Sequence, residues 1–205
     1  STASVSASLD SDLAFSRVKE FVDTYNSVQS TIDTLTTRSL DGGEDGVLAR
    51  DVAIAGIERK LRSLVTSELQ GYGTSGRYIS ELGIKTERDG SLSLTEESFK
   101  KNFEREPILF DVVVNSIARS DNPLVSVSHN SEILQPKGGV YSFTESSTDG
   151  QGGSLGAVSL SGSADSGNRE YVASTGDTAG LRIGSSGSAQ TASIYYGESF
   201  LSKLS

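Results

Sequence analysis

The chain has 205 residues, enough for one ordinary domain or two small ones, and only 35% of them are hydrophobic, few for a compact enzyme. A net charge of −9 without any basic run gives no electrostatic footprint for nucleic acid or for an anionic membrane. With no Cys there are no disulfides, thiolate nucleophiles or Cys metal sites, and no apolar segment is long enough to span a bilayer. No signal peptide opens the chain, so secretion would need an export signal outside it or another route. No Met is present and the start lies inside the alternating run Thr2-Ala3-Ser4-Val5-Ser6, as expected of a piece of something longer. The 22 Gly residues point to many turns or an extended β module.

Residues 1–12 read as a strand tail from a preceding β domain, small polar residues alternating with Ala, Val and Leu over 1–9. Asp10, Ser11 and Asp12 are N-cap candidates for the helix that follows. That helix, Leu13 to Arg38, is the organising element. Val18, Tyr25 and Ile32 are spaced by seven, as are Phe21, Val28 and Leu35, and the two rows interleave into a narrow apolar seam. The spacing predicts one helix of roughly 39 Å that cannot bury its seam alone. A loop from Ser39 to Gly46 leads to a second helix from about Leu48 to Glu68, where Ile54, Ile57, Leu61 and Leu64 repeat the pattern. The short connection predicts an antiparallel helical hairpin, seam to seam.

Gln70 to Arg77 is a glycine loop. Asp89-Gly90 between Ile84-Lys85-Thr86 and Leu92-Ser93-Leu94 predicts a β-hairpin with a type I′ turn. Thr95 caps a helix carrying Phe99 and Phe103, and Pro107 ends it and opens a short one with Ile108, Leu109, Val112 and Val113 as its apolar face. These pieces make a helical domain over 13–115 with a β-hairpin at 84–94. Residues 116–136 read as a linker, with Val125-Ser126-Val127 as a candidate edge strand. A Gly/Ser-rich β domain occupies 137–197, its strand-like runs being Val140–Thr144, Leu155–Leu160, Glu170–Ala173, Leu181–Ile183 and Ala192–Tyr196. Short strands at this spacing predict a small antiparallel sandwich or barrel. Residues 198–205 read as the start of a truncated helix. The fold class is therefore α+β: an antiparallel helical hairpin or bundle with a β-hairpin, plus a separate small antiparallel β domain.

Three motifs bear on chemistry. Gly71-Tyr-Gly73-Thr-Ser-Gly76 spells G-x-G-x-x-G, but a dinucleotide site needs a strand before it and a helix after it, whereas a helix precedes and a hairpin follows. It reads as a flexible helix exit. Gly152-Gly-Ser154-Leu-Gly156 spells G-x-S-x-G without the strand–helix context of a nucleophile elbow, and His129 is the one imidazole available as a base; the motif reads as a surface turn. Asp41-Gly-Gly-Glu44-Asp45-Gly46 is the best cation loop, yet its spacing is not that of an EF-hand. No catalytic residue, metal site or cofactor is expected.

FVDTYN from Phe21 to Asn26, GVLARD from Gly46 to Asp51, ELGIKTERDGSLSLTEESF from Glu81 to Phe99, and Glu106-Pro107 stand in an order and spacing that resembles the flagellar filament cap family, flagellar hook-associated protein 2. The resemblance covers roughly half of the chain. It implies a non-enzymatic, extracellular protein exported through the flagellar route, which self-associates into a cap ring at the filament tip and helps flagellin assemble. Flagellin and hook-associated proteins would be its partners, with no nucleic acid and no membrane insertion. It further implies that the helical domain forms the leg of the cap and β domains its plate. The heptad segments expected at both ends of such proteins are absent here. The 137–197 module stands where the last helices would follow, and reads as an inserted β domain. Flagellin or another rod-and-hook component is the nearest relative reading. An adhesin or glycan-binding β module on a helical stalk is the alternative of another class, and an enzyme comes third.

Overall fold

The computed structural model describes residues 10–39, 43–49, 51–129, 134–147, 152–200 and 202–203. The strand tail expected over 1–9 and Asp41 of the cation loop lie outside the described residues, as does the side chain of Leu109. Two units are present: one holds the described residues up to Ser67 with Tyr78–Val114, the other Glu68–Arg77 with the described residues from Asn115 on.

In the first unit α1 (Ser11–Thr36) begins where the Asp10 carboxylate accepts the Asp12 and Leu13 N–H groups, each at 3.0 Å. α2 (Val52–Thr66) begins likewise, Asp51 accepting from Ala53 N–H at 2.8 Å. A short 3₁₀ turn (Ile79–Leu82) leads into β1 (Lys85–Thr86) and β2 (Leu92–Ser93), which pair antiparallel. Thr95 then caps α3 (Glu96–Arg105), and α4 (Ile108–Val114) follows Pro107. Phe15 of α1, Phe99 and Phe103 of α3 and Phe110 of α4 run in a chain of ring contacts at 5.6, 5.5 and 6.2 Å.

The buried stripe of α1 is Ala14, Val18, Phe21, Val22, Tyr25 and Gln29. It is shared among α2, α3, α4 and β2 rather than zipped to α2 alone. Val28 is 44% exposed, and Ile32 and Leu35 are half-buried. On α2, Ile57 is 53% exposed, while Ile54, Leu61 and Leu64 are half-buried. The pitch of an α-helix accounts for the Phe21 row. A strict seven-residue row drifts by about 20° per repeat unless the helix supercoils. The Phe21–Val28–Leu35 row starts at one edge of the buried face and drifts off it, whereas Val18–Tyr25–Ile32 drifts across it.

The hairpin turn also departs from the expected type I′. Gly90 N–H donates to Glu87 O at 3.0 Å and Glu87 N–H to Ser91 O at 2.8 Å, so the turn spans 87–90 and closes with Gly90 at φ +90°. Asp89 needs no positive φ; its carboxylate instead accepts from the Ser91 N–H and hydroxyl at 3.0 and 2.7 Å, which lowers its pKa. A two-residue turn with both φ positive occurs at Ser166-Gly167, between Asp165 and Asn168, which face each other.

The second unit is a β-sandwich. Its five-stranded sheet runs β3 (Ile117–Ser120), β11 (Thr191–Gly197), β5 (Gly139–Glu145), β6 (Gly153–Leu155), β7 (Val158–Leu160). Its four-stranded sheet runs β4 (Val125–His129), β10 (Leu181–Ser186), β9 (Asn168–Val172), β8 (Gly162–Asp165). All pairings are antiparallel. Phe143, Leu155, Tyr171, Leu181, Ile183 and Tyr196 fill the space between the sheets. β3 and β4 fall within the stretch read as a linker, because Asp121-Asn122-Pro123 cuts their apolar signal into two short halves. β8 carries a single apolar residue, Ala164, and escapes periodicity because it is an edge strand with little to bury. After β11, Lys203 N–H meets Phe200 O and Ser199 O at 3.2 and 3.3 Å, a turn in the stretch expected to begin a helix.

Candidate functional site

The phrases singled out in the sequence meet in space. Phe21, Val22 and Tyr25 of FVDTYN are buried along α1, and Asn26 beside them reaches the hairpin. Its Oδ1 accepts the Leu92 N–H at 2.7 Å and its Nδ2 donates to the Leu92 carbonyl at 2.8 Å. An amide side chain carries a donor and an acceptor on separate atoms, so it can satisfy a backbone N–H and C=O of one residue together. Leu92 is itself buried, so both of its backbone groups depend on Asn26. We expect Asn26→Ala to orphan both at about 1–3 kcal/mol each, and Asn26→Asp, which keeps only the acceptor, to cost less. Urea denaturation followed by far-UV circular dichroism checks the order of the three proteins.

The described residues of GVLARD lie between α1 and α2. Gly46 N–H donates to Thr37 O at 2.8 Å and Leu48 N–H to Leu35 O at 2.9 Å. A β-carbon at Gly46 would stand 2.3 Å from the Leu35 carbonyl oxygen, so only glycine passes so close to the end of α1. Asp51 closes the phrase by capping α2. In the Glu81–Phe99 phrase, the Glu81 carboxylate accepts Tyr78 N–H at 2.9 Å and Gly83 turns the chain at φ +91°. Ile84, Leu92 and Phe99 then go into the core. Arg62 of α2 lies against the Gly90 turn. Burial pushes the Tyr25 hydroxyl pKa up, with Arg62 opposing.

Of the residues read as seam, Val18, Phe21 and Tyr25 therefore lie together in this core. Val28, Ile32, Leu35, Ile54, Ile57, Leu61 and Leu64 sit in the half-covered or exposed part of the helical pair. As polar residues between the seam rows, Asn26 and Gln29 read as facing water, but Asn26 is spent on Leu92 and Gln29 is buried. Gly46 reads only as the end of a loop, and its close approach to Leu35 has no periodic signal.

The two catalytic spellings take other roles. Ser154 lies within β6 opposite Ser159 of β7, with Gly156 in the turn between them, so strand follows where an elbow needs a helix. His129 ends β4 with its ring 5.2 Å from Tyr196. The G-x-G-x-x-G stretch is more than a flexible helix exit: Gly71 and Tyr72 are buried within the β unit, and Leu69 and Arg77 pair across the loop. Asp45 of the cation loop accepts Ser39 N–H at 3.0 Å. Among the described residues no cluster of three or more metal-ligating side chains occurs, and no helix is long and apolar enough to cross a membrane.

Residues 1–120 match the family model described as flagellar hook-associated protein 2 C-terminus. The chain is 36% identical over 90 residues to lateral flagellar hook-associated protein 2 of Vibrio parahaemolyticus, covering 44% of this chain and 19% of that protein. It is 34% identical over 102 residues to flagellar hook-associated protein 2 of Aeromonas caviae, covering 45% and 22%. The chain thus spans about a fifth of the length of the curated relatives it matches. No solved structure matches it. Since the matched residues take in all four phrases, including the two joined by Asn26 and Leu92, the chain belongs to the flagellar hook-associated protein 2 C-terminus family.

Proposed function

We propose that the chain is part of a structural component of the bacterial flagellum, a filament cap that is exported through the flagellar route, oligomerises at the tip and promotes flagellin assembly. The observation that carries this reading is the Asn26–Leu92 clasp, which turns two separate family phrases into one packed element. The helical pair adds to it. Val28 on α1 and Val52 and Ile57 on α2 are exposed apolar side chains, which a neighbouring subunit or the rest of the longer protein would cover. Catalysis has no part in the reading, and neither does a cofactor.

The test uses the full-length protein in its source bacterium. Deleting the gene is expected to abolish filaments and release unpolymerised flagellin into the medium, with recovery when the parent gene is restored. Filaments of normal length in the deletion strain overturn the cap role. For self-association, light scattering of the purified full-length protein is expected to show a closed oligomer that Val28→Glu with Ile57→Glu weakens. Both positions face solvent, so the subunit fold is spared. A protein that stays monomeric at every concentration overturns the ring.

A further inference from the structure

The outer face of the four-stranded sheet carries a trough that the family match, which ends at residue 120, does not reach. Ser126 of β4, Gly184 of β10, Glu170 of β9 and Ser163 of β8 stand directly opposite one another, so they form a single row across all four strands. Gly184 leaves that row without a side chain at its second place. A β-carbon there would stand 2.5 Å from the Ser126 hydroxyl, so the floor is open only because the residue is glycine. Ser128 and Arg182 bound the row on one side, Asn168 and Asp165 on the other, enclosing about 340 Å³.

Every side chain lining the trough is polar. That excludes an apolar peptide or a lipid tail as occupant. Its charges exclude a polyanion: Arg182 is already paired with Glu170 at 3.1 Å, Arg169 is held by Glu145, and Asp165 adds negative charge. Among the described residues no three metal-ligating side chains cluster, so a metal ion is excluded as well, and what remains is a hydrophilic ligand without negative charge that can both donate and accept. Serine hydroxyls do both, carboxylates accept from two neighbouring hydroxyls, and the Asn168 amide offers one of each. Sugar hydroxyls on adjacent carbons present the complementary set.

We propose that this trough is a carbohydrate-binding site for neutral sugars, with Glu170, Asn168 and Ser126 as its hydrogen-bonding residues and Gly184 as its floor. No aromatic ring lines the trough for a sugar to stack on, so one site binds weakly and several copies in an assembly would be needed for firm attachment.

Saturation-transfer NMR on the intact chain, with the methyl glycosides of glucose, galactose, mannose and N-acetylglucosamine as probes, tests the proposal. At least one glycoside is expected to receive transfer. Gly184→Val should abolish it by filling the floor, while a β-branched residue suits the strand. Glu170→Gln and Asn168→Ala, both at exposed positions, should reduce it several-fold with an unchanged melting temperature, and they carry the test if Gly184→Val does not fold. Thr144→Val, on the outer face of the other sheet, should leave it unaltered. Transfer to none of the four glycosides, or transfer that survives all three trough variants, overturns the proposal.

Discussion

Glu145→Ala is expected to unfold the β unit under conditions where the parent is fully folded. Glu145 on β5 and Arg169 on β9 point inward from opposite sheets, with side chains 0% and 1% exposed. Arg169 Nε and Nη2 donate to the two carboxylate oxygens at 2.8 and 2.9 Å. Ser185 Oγ and the Gln190 N–H, the latter at 2.7 Å, complete the carboxylate, and the remaining guanidinium donors reach the Gly187 and Ser188 carbonyls at 3.0 and 3.1 Å. Removing one partner leaves the other charge buried, at a cost of about 3–5 kcal/mol. Arg169→Ala should cost as much, whereas Glu145→Leu with Arg169→Met should recover most of the loss, because a hydrophobic pair has no desolvation penalty to offset. Peptide-resolved hydrogen exchange across β5, β9 and β10 reads the effect; parent-like protection in both single variants would show that the pair is dispensable. The same pair contributes to the acid limit. Burial alone would raise the Glu145 carboxyl, but hydrogen bonds from Arg169, Ser185 and Gln190 outweigh it and hold the pKa at about 2. A folded value below the unfolded one of about 4.3 means the stabilisation is complete above that pH and is lost as pH falls toward about 2. The double variant should lack this acid transition.

Local chemistry was legible in the sequence where it acts within a turn or two. Asp10 and Thr95 are caps, Phe99 and Phe103 share a face, and the strands of the 84–94 ribbon pair as expected. The Asp-Gly dipeptide was a weaker guide to the turn, because Gly90 alone supplies the positive φ and a four-residue turn uses it as well as a two-residue one. Contacts between distant residues were not legible. Asn26 and Leu92 are 66 positions apart, and Glu145 and Arg169 are 24 apart, so no window of sequence contains both members. The second pair did leave a trace. Tyr141, Phe143 and Glu145 alternate inward along β5, as Arg169 and Tyr171 do along β9, which places opposite charges at positions patterned for the core. An inward charge in one strand calls for its complement in the other.

Gly71→Ala and Tyr72→Ala are expected to destabilise the β unit, although both residues lie in the chain between two elements of the helical unit. The chain leaves the helical unit after Ser67, contributes Glu68–Arg77 to the β unit, and returns at Tyr78. Within that excursion Tyr72 is 1% exposed; its hydroxyl donates to the Asn115 carbonyl at 3.0 Å and its own carbonyl accepts from Arg119 at 3.4 Å. The ring lies on Gly197, where a β-carbon would come within 2.6 Å of it. Gly71 has φ +89°, and a β-carbon there would meet the Tyr196 carbonyl oxygen at 1.8 Å. Alanine at 71 therefore carries a left-handed backbone cost of about 1–2 kcal/mol and an overlap that only a shift of the loop can relieve. Truncating Tyr72 removes a fully buried ring, a change that costs about 3–5 kcal/mol in a well-packed core. Tyr72→Phe should lose only the hydroxyl's bond, about 1 kcal/mol. Hydrogen exchange separates this account from a simple linker: protection should fall along β3 and β11 in Tyr72→Ala while α1 keeps its own. If α1 loses protection and β11 does not, the loop belongs energetically to the helices, and its packing on Tyr196 and Gly197 contributes nothing. With the excursion intact, no cut at a single point frees the β unit from the helical one, because its fold requires residues on both sides of Tyr78–Val114.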